Sequence, residues 1–325
     1  MHTSPKPTTE PDEVPFDYYI ADVFTDVLFG GNQLAVLPNA IGLGDKEMQS
    51  IAREFNFSES VFVFPPENAK NSRKIRIFTP SRELPFAGHP TVGTAYVLGH
   101  IGDIELTGDE TRIVFEEGVG PVPVLIRSRG GKPVFTQLTA AKIPERKPAS
   151  SDAAGLADVL SLEPSDILYD ELFTPEAVSA GLPYLIVPLR SLDALRRARV
   201  REDVWERTLK GSWAGELFVF VEDDESAKRG GVREGNGVVR ARMFAPGVGV
   251  AEDPATGSAA AAFGGYVAWR STKRDGMLKT LIHQGVEMGR PSRLEVETDV
   301  EGGLIKAVRV GGASVLVSSG TLFHP

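Results

Sequence analysis

The sequence predicts an α+β protein built from two similar halves related by a pseudo-two-fold axis. Three observations carry this. A motif occurs twice: Arg76-Ile-Phe-Thr-Pro80 followed by Gly88-His-Pro-Thr-Val-Gly-Thr-Ala95, and Arg242-Met-Phe-Ala-Pro246 followed by Glu252-Asp-Pro-Ala-Thr-Gly-Ser-Ala259. Each copy reads as strand, loop, a polar residue before proline, then Gly-[Ser/Thr]-Ala opening a helix. The strand ahead of each copy is echoed as well, Val61-Phe-Val-Phe64 against Leu217-Phe-Val-Phe220, and Gly31-Asn-Gln-Leu-Ala-Val36 is loosely like Gly181-Leu-Pro-Tyr-Leu-Ile186.

Order begins near Phe16, after a polar, Pro-rich stretch over 1–15 that reads as a disordered leader. Tyr18 to Leu37 reads as two strands around the Gly30-Gly31-Asn32 turn. Asp45 to Phe55 is an amphipathic helix, because Met48, Ile51, Ala52 and Phe55 share one face. Ser60 to Phe64 and Lys74 to Phe78 are strands, the second alternating apolar and polar residues. Thr91 to Leu98 is helical, Val114 to Arg127 is strand-rich, and Gly130-Gly-Lys132 is a hairpin turn. From Pro144 to Pro175 a Pro/Ser/Ala stretch with short helical runs reads as a linker. Then come a strand at Tyr184 to Pro188, a helix over Leu192 to Arg199 and a strand at Glu216 to Val221. A charged, Gly-rich loop (223–237), a strand at Val238 to Phe244, a helix after Asp253 and strands from Leu294 to Leu322 complete the chain. The expected division is a first half over 16–130, completed by strands near 313–325, and a second half over 131–312.

Length and composition bound the function. The chain has 325 residues, enough for about two domains. With 42% apolar and 24% charged residues it reads as soluble and globular. Lys+Arg 35 against Asp+Glu 44 gives a net charge of −9, the wrong sign for wrapping nucleic acid. The absence of cysteine excludes disulfides, thiolate metal sites and thiol nucleophiles. No apolar run is long enough to span a membrane, and the leader has no signal-peptide core, so the expected location is cytoplasmic.

The repeated turn has its own chemistry. Proline suits a first helical position, which would make the preceding residue the cap: Asp253 is a favoured cap type and His89 is not. Free backbone N–H groups at such a start attract anions. If the halves face each other, two helix starts converge on one cleft suited to a small carboxylate. Taken singly, Asp253-Pro254 is a plain cap, His89 a structural histidine and Glu59 an exposed residue at a strand start. The occurrence of His89 and Asp253 at matching places of the repeated motif turns that pair into a candidate site, whereas Glu59 lies outside the motif and gains no role from it.

Several segments resemble the PhzF-like phenazine biosynthesis proteins: Ala21-Asp-Val-Phe-Thr25 through Gly30-Gly-Asn-Gln-Leu-Ala-Val36, Asn56-Phe-Ser-Glu-Ser60, and Glu83-Leu-Pro-Phe-Ala-Gly-His-Pro-Thr-Val-Gly93. Glu252-Asp-Pro-Ala-Thr-Gly-Ser-Ala259 and Gln284-Gly-Val-Glu-Met-Gly-Arg-Pro-Ser292 complete the set. The likeness runs from Phe16 to Phe323. It implies the diaminopimelate epimerase-like fold, with each half a curved, mostly antiparallel sheet around a central helix, and a homodimer. It implies a cofactor-independent isomerase like those acting on trans-2,3-dihydro-3-hydroxyanthranilate, where a proton leaves C3 and returns at C1. The resemblance makes Glu59 the general acid/base, His89 and Asp253 its catalytic partners, and Gly88, Gly257 and Ser258 the substrate-binding residues. Racemases on this fold that use two thiols are excluded as parallels by the missing cysteines.

Two rivals stand beside this reading: an isomerase or epimerase of an unrelated small substrate, and a non-catalytic carboxylate-binding protein. Other mechanisms find no residues. The histidines (His2, His89, His100, His283, His324) form no metal pair, and no nucleophile elbow, phosphate-binding loop or dinucleotide fingerprint occurs.

Overall fold

The computed structural model describes residues 15–323, so the expected leader lies, except for Pro15, outside the described residues. The first half runs β1 (Phe16–Val23), β2 (Asn32–Leu37), α1 (Asp45–Phe55), β3 (Glu59–Phe64), β4 (Arg73–Phe78), β5 (Glu83–Leu84), α2 (Gly88–Ile101), β6 (Glu110–Glu117), β7 (Gly120–Arg129) and β8 (Lys132–Thr139). The second runs β9 (Glu145–Pro148), α3 (Ala153–Leu160), β10 (Glu176–Ser179), β11 (Pro183–Pro188), α4 (Leu192–Arg197), α5 (Glu202–Thr208), β12 (Leu217–Glu222) and α6 (Asp224–Lys228). It continues with β13 (Asn236–Ala245), β14 (Val250–Asp253), α7 (Gly257–Ala268), β15 (Gly276–Gln284), β16 (Ser292–Glu301), β17 (Leu304–Gly312) and β18 (Ser314–Leu322).

The strand pairings repeat. In the first half β1–β2 is antiparallel, β2–β3 parallel, β3–β4 antiparallel, β4–β6 parallel, and β6–β7 and β7–β8 antiparallel. The second half runs the same series through β10, β11, β12, β13, β15, β16 and β17. Strand β8 pairs with β17 and sews the halves into one sheet. The outer edges are exchanged: β9 follows β8 in the chain but pairs with β10, and β18 follows β17 but pairs with β1. The division expected at 130/131 falls in the β7–β8 hairpin. The first half extends to Thr139, because β8 carries on the β6–β7 meander.

Each curved sheet wraps one helix. Helix α2 is buried from Gly88 to Gly99 and α7 throughout. Apolar all round, they suit the centre of a half rather than its surface. The small side chains of α7, Gly-Ser-Ala-Ala-Ala-Ala over 257–262, let the strands close in around it. Helix α1 covers the outer face of the first sheet, and α3, α4 and α5 cover that of the second. The supposed linker is thus largely folded: Leu156, Val159 and Leu160 of α3 belong to that outer core.

Register corrects the alignment of the repeats. Ile77 lies opposite Leu84, and Met243 opposite Asp253, so Leu84 and Asp253 are mates. Four residues later each central helix starts, at Gly88 and Gly257. The mate of His89 is therefore Ser258, not Asp253. The sequence match had set Gly93, inside α2, against Gly257 at the start of α7. An added turn at Pro246–Val248 hides the true spacing in the second half. Nor do Asp253 and His89 cap the helices. The caps are Ala87 and Thr256, and Asp253 ends strand β14 with its carboxylate turned to side-chain donors.

Candidate active site

The two central helices meet end to end. A Cβ on Gly88 would lie 2.6 Å from Gly257 Cα and 2.7 Å from Ser258 N, so only glycine permits this approach. Beside the junction opens a cavity of about 560 Å3 between the halves. Glu59, Gly88, His89, Asp253, Gly257 and Ser258 all line it. The structure thus gathers all six residues singled out in the sequence.

Glu59 opens β3, where the parallel pairing with Leu34 fixes its backbone. Its Oε2 lies 3.5 Å from His89 Nε2 and, among the described residues, takes no hydrogen bond. Burial pushes its carboxyl well above the ordinary range, and the nearby Asp253 charge pushes the same way. His89 sits on the first turn of α2 and is only 4% exposed. Burial drives its pKa down to about 3 against a hydrogen bond to the Gln33 backbone, so the imidazole is neutral at pH 7.

Asp253 is the most tightly held group. Its Oδ2 accepts from Thr256 Oγ1 (2.5 Å), and its Oδ1 from Asn32 Nδ2 (2.9 Å) and Ser58 Oγ (3.3 Å). Burial raises its pKa, and these donors oppose the rise without cancelling it. Asn32 Nδ2 also donates to the Ala255 carbonyl (3.0 Å) and lies 3.3 Å from His89 Nδ1. One amide from β2 therefore ties the histidine of the first half to the aspartate of the second. Gln284 donates to the Asp253 carbonyl (2.8 Å) and to Thr256 Oγ1 (3.1 Å). On the far wall, Tyr184 Oη and Ser258 Oγ lie 2.6 Å apart.

The sequence reading gave no role to Asn32, Ser58, Tyr184, Thr256 or Gln284, although Tyr184 lies in the looser repeat and the other four lie in the segments that carry the resemblance. Asn32 carried a signal: a polar residue opening an otherwise apolar strand needs a partner.

Comparison with known proteins agrees with the geometry. The family described as phenazine biosynthesis-like protein matches residues 21–320. The chain belongs to this PhzF family. An uncharacterized isomerase of Mesorhizobium japonicum is 40% identical over 94% of this chain and 98% of its own length. The trans-2,3-dihydro-3-hydroxyanthranilate isomerase of Pseudomonas aeruginosa is 33% identical over 94% of this chain and 99% of its own. A PhzF-family structure from Bacillus anthracis superposes with a TM-score of 0.80 at 26% identity, covering 95% and 99% of the two chains. The fold is the diaminopimelate epimerase-like one, and the protein is a PhzF-type isomerase. Among the described residues no helix is long and apolar enough to cross a membrane.

Proposed function

We propose that this isomerase moves a proton between two carbons of a small unsaturated carboxylate, with Glu59 as the shuttle, and that the substrate is trans-2,3-dihydro-3-hydroxyanthranilate or a close analogue. The Glu59 carboxylate takes the proton from C3. The electron pair left behind shifts through the conjugated system, and the same carboxyl returns the proton at C1. The enol so formed tautomerises to a ketone. A single group performs both transfers if its pKa stands near the working pH, which burial arranges here. Neutral His89 orients the carboxyl and the substrate without competing for the proton. Asp253, held through Asn32 and Thr256, keeps His89 and the second wall in register. The N–H groups at the starts of α2 and α7, with Gly88, Gly257 and Ser258, receive the substrate carboxylate.

The observation that carries this reading is Glu59 itself: a buried carboxyl oxygen on the cavity wall with no hydrogen-bond partner among the described residues. The homodimer and the cytoplasmic location belong to the same reading, and sedimentation and fractionation test them. The decisive experiment is proton NMR in D2O with trans-2,3-dihydro-3-hydroxyanthranilate. Turnover with deuterium entering at carbon, abolished in Glu59→Gln, is expected. An inert wild-type protein would refute this substrate and turn attention to the rival small carboxylates.

A further inference from the structure

Among the described residues, one cavity carboxyl besides Glu59 has a buried, unpaired oxygen, and it has no part in this scheme. Glu216 stands immediately before β12, and register identifies its place in the fold. In the first half Ser60 lies beside Ala35 and opposite Phe78, and in the second Leu217 lies beside Leu185 and opposite Phe244. Phe78 and Phe244 are the repeated phenylalanines, so Ser60 and Leu217 are mates, and the residues before them, Glu59 and Glu216, are mates too. The echo of Val61-Phe-Val-Phe64 in Leu217-Phe-Val-Phe220 had concealed this by one position.

Glu216 is held as a preformed acceptor. The Gly247 backbone N–H hydrogen bonds to its carboxyl. A Cβ on Gly247 would stand 2.4 Å from Oε1, so that oxygen lies against the main chain. The Trp205 ring packs against Gly247, and its Nε1 donates to the Gly215 carbonyl (2.8 Å), which fixes the backbone at Glu216. Oε2 is buried and has no hydrogen-bond partner among the described residues. The exposed Arg82 acts on it only through space, and burial pushes the carboxyl up to about 7. A native protein rarely leaves such an oxygen without a donor unless the donor arrives from outside. The surroundings also differ from those of Glu59 at the start of the central helix. Where the first half has His89, the second has Ser258, and its hydroxyl is engaged by Tyr184. Glu216 therefore lacks the counterpart of the histidine that stands 3.5 Å from Glu59, and the Gly247 N–H holds its carboxyl in place.

We propose that Glu216 is a specificity-determining residue whose free Oε2 accepts a hydrogen bond from an amino or hydroxyl group of the substrate, on the wall across from Glu59. This rests on the proposed function, since it requires a small carboxylate in the same cavity. It narrows the substrate class to carboxylates carrying an amino or hydroxyl donor that reaches this wall.

The test is isothermal titration of the full chain with three probes: 3-hydroxyanthranilate, 3-hydroxybenzoate, which lacks the amino group, and anthranilate, which lacks the hydroxyl. In the wild type one of the two deletions is expected to weaken binding about tenfold or more. In Glu216→Ala the same deletion should matter less than about twofold. Whichever deletion matters identifies the donor. Glu216→Gln keeps one acceptor oxygen and an almost identical shape. It should fall between the two, and it carries the comparison if the alanine variant fails to fold. Glu59→Gln should discriminate as the wild type does. Equal penalties in wild type and Glu216→Ala overturn the role of Glu216 and leave the proposed function standing. If no probe binds the wild type, the substrate class falls and the assignment of Glu216 falls with it.

Discussion

The end-to-end meeting of α2 and α7 makes a quantitative prediction. In Gly88→Ala the new Cβ would stand 2.6 Å from Gly257 Cα, whereas ordinary contact begins at 3.4 Å, so the helix starts must part by about 0.8 Å. The obstructing atoms are backbone and cannot rotate away. Overpacking of this kind costs about 1–3 kcal/mol of stability. The larger effect falls on the chemistry, because His89 rides on one helix and Ser258 on the other. A misplacement approaching 1 Å lowers turnover by about 100-fold. The reverse substitution, Gly257→Ala, brings its Cβ only to 3.0 Å from Gly88 Cα and should be clearly milder. Steady-state turnover of the proposed substrate, trans-2,3-dihydro-3-hydroxyanthranilate, with thermal denaturation alongside, measures both. Gly88→Ala within about threefold of wild-type activity, or Gly257→Ala the worse of the two, would show that the junction does not set the site.

Further expectations concern charge and hydrogen bonding. With the Glu59 carboxylate as the proposed base and its pKa raised by burial, kcat/KM should climb with pH through the neutral range rather than near pH 4.5; a profile already flat above pH 5 contradicts the proposal. Glu117, buried and bonded to Thr91, is raised from 4.5 to about 8, so the folded state holds a proton that the unfolded state releases between those values. Stability should therefore fall as pH rises across that window, and Glu117→Gln should flatten the fall, as read by urea denaturation at several pH values. Asn32→Ala strips buried Asp253 and the Ala255 carbonyl of a shared donor and should cost about 1–3 kcal/mol, with activity lost even where the protein stays folded. Asp22→Ala leaves the Arg290 guanidinium, which bonds Asp22 and the carbonyls of Gly30 and Gly31 across the halves, without its counter-ion. The loss should be on the order of 3 kcal/mol, measured as a shift in denaturation midpoint.

Much of this architecture is legible in the sequence where local periodicity is strong. Helix α1 has the predicted ends, Asp45 and Phe55, because the apolar stripe of Met48, Ile51, Ala52 and Phe55 sets its extent. The apolar strands β3, β4, β11 and β12 announce themselves in the same way. Less legible are elements whose order comes from tertiary pairing. Strand β9 is wholly exposed, carries a proline and exists only by lying against β10. Strand β15, with the pattern Gly-Met-Leu-Lys-Thr-Leu-Ile-His-Gln, has its alternation blurred by partly exposed apolar residues. The candidate site residues came from motifs, and their symmetry was misread. Residue identity favoured matching Gly93 with Gly257, whereas backbone register matches Gly88 with Gly257. A separate one-position slip between the echoes of β3 and β12 hid Glu216, which is marked by its register and not by any local pattern.

The exchanged edge strands bear on how such a chain arose. Each half borrows its outermost strand from the other, β18 on β1 and β9 on β10. A half-length forebear with this topology could not have covered its own first strand as a monomer. It would have lived as a strand-swapped pair, each copy lending its last strand to the other, with one shared cleft made twice over in the same form. Joining the two copies end to end removed the need to find a partner and freed the walls to diverge. One wall carries His89 beside Glu59, and the other has Ser258 and Glu216 at the corresponding positions, which a symmetric pair of identical chains could never do.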